Sequence, residues 1–252
     1  MVRGGPRLDH GRRRELGQSF QDGGRQYHRI RPGYPEESVR WLVPTDAHDA
    51  LDVGAGTGKF TALLLDQGLD VTAVDPSADM FAQLKAHCPG ARAVVGTAEA
   101  TGLADSCFDV VTVAQAWHWC DPLAASTELA RVLRPHGTLG LVWNQLDTSV
   151  PWVHRLSRIM HAGDVYRPGH KPAVGPEFHG LEGHVTHWLD TVTTTDLMEL
   201  TKSRSYYLRA NEATRAKVLG NLDWYLHEHL AYAPDQQLEL PYLTLAWRAV
   251  KA

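Results

Sequence analysis

From residue 52 to residue 58 the chain reads Asp-Val-Gly-Ala-Gly-Thr-Gly, an acid followed by glycines at alternate positions. Gly54, Gly56 and Gly58, spaced in this way, let the backbone turn tightly and let a ligand approach without meeting a β-carbon. Ala50 to Val53 before the turn is strand-like and Lys59 to Gln67 after it is helix-like, so the turn sits at a strand-to-helix junction. A second apolar run, Asp70 to Asp75, ends in a carboxylate that falls beside that turn. A carboxylate in such a place can accept both hydrogens of a ribose diol, each charged hydrogen bond contributing roughly 1.5–3 kcal/mol. A further set follows the apolar run Phe108 to Val113: Ala114-Gln115-Ala116-Trp117-His118-Trp119-Cys120-Asp121 puts a histidine between two tryptophans. His118 there reads either as a hydrogen-bond partner or general base for a bound acceptor, or as a packed residue. His118 with Cys120 gives two metal-type ligands and no second cluster at suitable spacing, so no metal is expected.

The glycine spacing is G-x-G-x-G and not the G-x-G-x-x-G of dinucleotide folds. Asp52 is a poor neighbour for a pyrophosphate and a good partner for an ammonium group. The ligand that fits is a nucleoside carrying an amino acid, which is S-adenosylmethionine.

The elements that must position these residues alternate along 48–145. Strands at Ala50–Val53, Asp70–Asp75, Arg92–Gly96, Phe108–Ala114 and Thr138–Trp143 are separated by helices, among them Ser77–His87, which Ser77 is placed to cap, and Leu123–Leu133, stopped at Pro135. Short, almost wholly apolar strands between amphipathic helices imply a parallel sheet covered on both faces. Residues 17–47 contain two helix candidates, Gly17–Ile30 and Pro35–Leu42; residues 150–185 read as a helix at Val153–Ala162 and then loop. Helices return at Asp196–Leu208 and Asn211–Leu230. In the last strand, over 238–252, Pro241 suggests an edge or antiparallel position. His179, His184 and His187 fall in the glycine-rich stretch and are expected to face solvent.

Composition sets bounds. The chain has 252 residues, a net charge of −4, three cysteines and no lysine-rich block. These disfavour a nucleic-acid partner, a disulfide framework and, with no long apolar run, a membrane span. A reduced, cytoplasmic protein is expected. The arginines among residues 1–16 read as a mobile tail.

The stretches "LDVGAGTGKFT", "VTAVDPSADM", "VVGTAEATGLADSCFDVVTVAQAWHW" and "ELARVLRPHGTLGLVWN" resemble the successive motifs of class I S-adenosylmethionine-dependent methyltransferases. The chain is similar, more narrowly, to the small-molecule branch that includes trans-aconitate methyltransferase-like proteins. The resemblance covers roughly residues 17–150 closely and the last third loosely. It implies one α/β, Rossmann-like domain: a seven-stranded sheet, mostly parallel with an antiparallel last strand, helices on both faces and a helical lid over 150–235. It also implies that Gly54, Ala55, Gly56, Thr57 and Gly58 face the methionine portion with Asp52 near its ammonium. Asp75 and Pro76 would meet the ribose, Met80, Ala98 and Glu99 the adenine, and Gln115 and Ala116 the methionyl part. In "YHRIRPGYP", Tyr27 and Arg31 would close the pocket.

Methyl transfer from a sulfonium is an in-line SN2 displacement that leaves S-adenosylhomocysteine, and holding the nucleophile aligned supplies roughly 7–11 kcal/mol. Trp117 or Trp119 would form an apolar wall, His118 would orient or deprotonate the acceptor, and one or two of Tyr206, Tyr207, Trp224 and Tyr225 would touch it. Aromatic walls favour an aromatic or heterocyclic small molecule, such as an indole- or amino-acid-derived specialised metabolite. Carboxyl O-methylation of a small polycarboxylate is the alternative, with Arg31, Arg167 or Arg204 as anchors. A nicotinamide-dependent reductase, which lacks its Tyr-x-x-x-Lys pair here, and a non-catalytic cofactor-binding module stand behind these.

Overall fold

The computed structural model describes residues 30–163 and 169–252. Tyr27, Arg167, the tail 1–16 and nearly all of the helix expected at Gly17–Ile30 lie outside the described residues. In chain order the elements are α1 (Glu36–Leu42), β1 (Asp49–Val53), α2 (Lys59–Asp66), β2 (Asp70–Asp75), α3 (Ala78–His87), β3 (Arg92–Val95) and β4 (Phe108–Ala114). A 3-10 turn at Trp117–Trp119 follows, then α4 (Pro122–Val132), β5 (Leu133–Leu146), α5 (Pro151–Met160) and β6 (Phe178–Thr193). The chain continues with α6 (Thr194–Lys202), α7 (Ser205–Arg209), α8 (Glu212–Asp223), a π-helical turn at Trp224–His229 and β7 (Gln237–Lys251).

One seven-stranded sheet runs β3-β2-β1-β4-β5-β7-β6. The first five strands pair in parallel, and β7 is antiparallel to both β5 and β6. β1 lies between β2 and β4, so the chain order reverses there. The carboxyl ends of β1 and β4 therefore flank the crevice in which open α/β sheets hold ligands. Helices on both faces explain the almost continuous burial of β1 and β2. On one face Leu42 of α1 and Phe60 and Leu64 of α2 pack on Val110 and Val142; on the other, Leu129 and Val132 of α4 pack on Leu51, Val111, Leu139 and Leu141. A third cluster joins Leu156, Leu197, Leu222 and Tyr225 to Leu146 and Tyr242, seating α5, α6 and α8 against β5 and β7.

Several expectations need correcting. The stretch read as loop, 178–185, begins β6, and His179, His184 and His187 lie on that strand. His179 and His187 are exposed, but His184 is half-buried, stacks on Trp41 with ring centroids 5.3 Å apart and bonds Glu37 Oε1 at 3.1 Å. β6 is an edge strand with few buried positions, so its glycines and histidines give no alternating apolar signal. β7 is antiparallel as Pro241 suggested, but it is interior to the sheet. Ser77 occupies the N-cap position of α3 without its side chain capping the helix. Pro135 lies within β5, which starts at Leu133 and runs to Leu146, beyond the expected Thr138–Trp143. Asp121 and Pro122 start α4: Asp121 Oδ1 accepts the N–H groups of Leu123 and Ala124.

Leu141 is central in β5 and 1% exposed. Leu141→Ala is expected to destabilise the protein by about 2–5 kcal/mol, read as a lowered urea midpoint with an unchanged slope.

Candidate active site

The turn after β1 is built on positive backbone angles. φ is 69° at Gly54, 56° at Gly56 and 88° at Gly58, where residues with a β-carbon are strained. Gly54 and Ala55 donate their N–H groups to Val74 O at 2.8 and 3.1 Å, which fastens the turn to β2. A β-carbon on Gly54 would come within 2.5 Å of Ala116 Cβ, and one on Gly58 within 2.9 Å of Cys88 Sγ. These two glycines admit protein. Around Gly56 nothing lies within 4 Å of where a β-carbon would stand, so its missing side chain leaves a cradle.

Asp75 closes that cradle. Its Oδ2 accepts the N–H of Gly56 at 2.9 Å and its Oδ1 the N–H of Ser77 at 2.8 Å. Burial raises its pKa, against the pull of those two bonds. An ionised carboxylate has about four acceptor positions, so two remain for vicinal hydroxyls. The Ser77 hydroxyl beside it is buried without a hydrogen-bond partner among the described residues. An open cradle, a carboxylate with spare acceptor capacity and an orphaned buried hydroxyl fit a ribose-bearing ligand.

Asp52 stands beneath the turn and is 0% exposed. Its oxygens accept the hydroxyls of Thr61 (2.7 Å, from α2) and Thr112 (3.2 Å, from β4). β1 and β4 are in register so that Asp52 faces Thr112. Burial pushes its pKa up to about 7. Asp52 is buried beneath the turn, so its carboxylate is not exposed to a ligand ammonium from the crevice.

β4 delivers the other wall. Gln115 takes a left-handed backbone, φ 57°, a conformation that costs a non-glycine residue about 1–3 kcal/mol. Two bonds hold it there: its N–H to Val142 O and its Nε2 to Asn144 O, each 2.8 Å. The turn then brings Ala116 against Gly54. Trp117 is 4% exposed, packs in the core with Leu129 and Trp143, and donates its Nε1–H to Ala173 O at 3.0 Å. His118 and Trp119 are left at the surface of the crevice, with ring centroids 4.5 Å apart. Solvent reaches His118, yet protein crowds its other sides, and this desolvation lowers its pKa to about 4. Trp143 Nε1–H donates to His118 Nδ1 at 3.4 Å. That contact needs a lone pair on Nδ1, so the ring is neutral with its proton on Nε2.

The remaining expected residues are placed as follows. Thr57, Met80 and Ala98 are buried and Ala55 partly so, while Pro76 is exposed. Glu99 Oε1 accepts the N–H of Asp121 at 2.9 Å, which ties the segment after β3 to the start of α4. Arg31 Nη2 donates to Ser203 O at 2.8 Å, linking the chain before α1 to the α6–α7 junction. Tyr206 stacks on His161 with centroids 3.8 Å apart. Sequence reasoning missed Ser77 as a wall residue, Trp143 and Asn144. Trp143 shares a face with Leu139 and Leu141 at period two, which could have flagged it. Asn144, which also binds Gly33 O at 2.6 Å and accepts the Thr244 hydroxyl, carries no such signal.

The raised Asp52 pKa has a definite sign. Between its ordinary 3.8 and about 7 the unfolded chain has lost a proton that the folded chain keeps. Stability is therefore expected to fall as pH rises through that window and to level off above it. Asp52→Asn removes the titration, and urea midpoints measured from pH 4.5 to 7.5 should then slope less steeply.

The family described as a methyltransferase domain matches residues 51–141. An uncharacterized methyltransferase of Mycobacterium tuberculosis is 43% identical over 241 residues, covering 95% of this chain and 98% of that one. A malonyl-[acyl-carrier protein] O-methyltransferase of Enterobacter lignolyticus is 32% identical over 202 residues, 78% of this chain and 73% of its own. Among solved structures, one provisionally named a type II methyltransferase, from Anaeromyxobacter dehalogenans, superposes with a TM-score of 0.61 at 25% identity, covering 88% of this chain and 97% of its own. The glycine turn after β1, the acid ending β2 and these likenesses together place the chain in the class I S-adenosylmethionine-dependent methyltransferases.

Proposed function

We propose that this enzyme methylates an aromatic or heterocyclic small molecule held against His118 and Trp119. The observation that carries the reading is the 3-10 turn at Trp117–Trp119, which sets a neutral imidazole and an indole side by side at the carboxyl end of β4. S-adenosylmethionine, when bound, supplies a methyl group already activated on a sulfonium. Asp75 accepts the two ribose hydroxyls, Gly56 leaves room for the chain between sugar and sulfur, and Ala98 and Met80 pack near the adenine. Trp119 offers a flat apolar wall that keeps water from the acceptor. His118 orients the acceptor by donating its Nε2–H to a heteroatom beside the reacting one. With Nδ1 engaged by Trp143, the ring positions and does not deprotonate. The acceptor must then bring its own lone pair to the methyl carbon.

A second reading is carboxyl O-methylation. It is favoured by the same Nε2–H, which can hold one oxygen of a carboxylate while the other attacks, and a carboxylate needs no base. The relative of Enterobacter lignolyticus is named for action on a malonyl group of acyl-carrier protein. The three cysteines are free, two of them buried, which fits a cytoplasmic enzyme.

Incubation with methyl-labelled S-adenosylmethionine and a metabolite extract is expected to label an aromatic or heterocyclic product. A label released as methanol by mild alkali marks a carboxyl ester and the second reading; an alkali-stable label on macromolecules alone contradicts both. On the acceptor so found, His118→Ala is expected to lower kcat about 2- to 10-fold, the worth of one hydrogen bond from a neutral imidazole, with cofactor affinity unchanged. Wild-type kcat in that variant would remove His118 from the reaction.

A further inference from the structure

We propose a second ligand site in the groove between α5 and α8, built to hold a small organic phosphomonoester; its lining includes Tyr206, expected from the sequence to touch the acceptor, but none of Gly56, Asp75, His118 and Trp119. The groove has a volume of about 560 Å³, within the range of small-molecule sites. Its walls carry Arg155 and Arg158 from α5 and Lys217 from α8, and its floor includes Ile159 and Val218. No carboxylate lines it among the described residues.

Helical spacing explains the walls. Arg155 and Arg158 are three residues apart and so share a face of α5, and Lys217 and Val218 fall on the face of α8 turned to the same space. Elsewhere Arg40 pairs with Glu36, Arg134 with Asp49 and Asp109, and Arg248 with Glu182, while Lys85, Arg92 and Arg209 are exposed with no ion pair among the described residues; what distinguishes Arg155, Arg158 and Lys217 is that they line one groove. Arg158 and Lys217 have no ion pair among the described residues. Arg155 is held without one: its guanidinium lies 5.4 Å from the Trp224 ring centre and 5.1 Å from that of Tyr225, with Nη1 3.4 Å from His229 Nε2. Ring faces fix the group while leaving donors of its planar fork unused.

Like charges converging on a concave surface repel one another, and a cleft of one sign focuses its field on an incoming counter-ion. Three cations suit a dianion better than a monoanion, and guanidinium groups match phosphate oxygens in pairs. The apolar floor asks for more than inorganic phosphate, since it can cover an organic body. The chain's net charge of −4 makes the concentration of positive charge in this groove a local feature and not a consequence of composition.

Calorimetric titration of the full chain with phenyl phosphate, inorganic phosphate and phenol tests the proposal. Phenyl phosphate is expected to bind saturably at one site, more tightly than inorganic phosphate, with phenol silent. Arg158→Glu with Lys217→Glu is expected to weaken phenyl phosphate at least about tenfold while S-adenosylmethionine binds as in the wild type. The retained cofactor affinity shows that the variant is folded. Absence of saturable binding, equal affinity for phenyl and inorganic phosphate, unchanged affinity in the charge-reversed variant, or competition by S-adenosylmethionine would each overturn it.

Discussion

Two backbone N–H groups, one from the turn after β1 and one from the turn after β2, converge on one carboxylate, Asp75, and the geometry of the crevice follows from that convergence. Gly56 and Ser77 belong to different strand-to-helix turns. Bonded to the same acid, the turns after β1 and β2 become one surface, and the carboxylate is fixed with its remaining lone pairs unused. The bonds work against the cost of burying a charge, so the group is held poised and not relaxed. Without it, the glycine turn would be an ordinary loop and the buried Ser77 hydroxyl would border nothing.

The second wall is held by an equally specific constraint, the approach of Ala116 to Gly54. A β-carbon on Gly54 would collide with Ala116 Cβ at 2.5 Å, so the glycine sets how closely the turn after β4 can approach β1. The same turn stores strain at Gln115, which two hydrogen bonds from its own backbone and side chain to β5 hold in place. Strain here puts His118 and Trp119 at the crevice while Trp117 goes into the core as an anchor. Sheet topology, turn conformation and placement of the aromatic pair thus form one chain of cause, with the reversal of strand order between β1 and β4 at its origin.

How legible this was in the sequence depends on whether a residue's partners are local. β1, β2 and β4 could be read almost to the residue because strands buried on both faces are almost wholly apolar. The glycines and Asp75 could be read because their chemistry is set by a turn and the end of the next strand. β6 was hidden because an edge strand has only one neighbour to bury against, and its glycines and histidines imitate a loop. The aromatic triplet misled in part: Trp117 and Trp119 look alike in sequence, yet the 3-10 turn sends one inward to Ala173 and leaves the other partly open. Trp143 and Asn144, far along the chain, reach the crevice only through the pairing of β5 with β4 and β7. The state of His118 depends on Trp143, so its proton could not be placed from the stretch Ala114–Asp121 around it.

The most direct measurement is the affinity of S-adenosylmethionine for Asp75→Ala by calorimetry, with circular dichroism to establish that the variant keeps its secondary structure. Loss of the carboxylate removes two charged hydrogen bonds to the ribose, and affinity should fall by at least about 100-fold. A folded Asp75→Ala protein that binds S-adenosylmethionine as tightly as the wild type would contradict the assignment of Asp75 as the group that holds the cofactor.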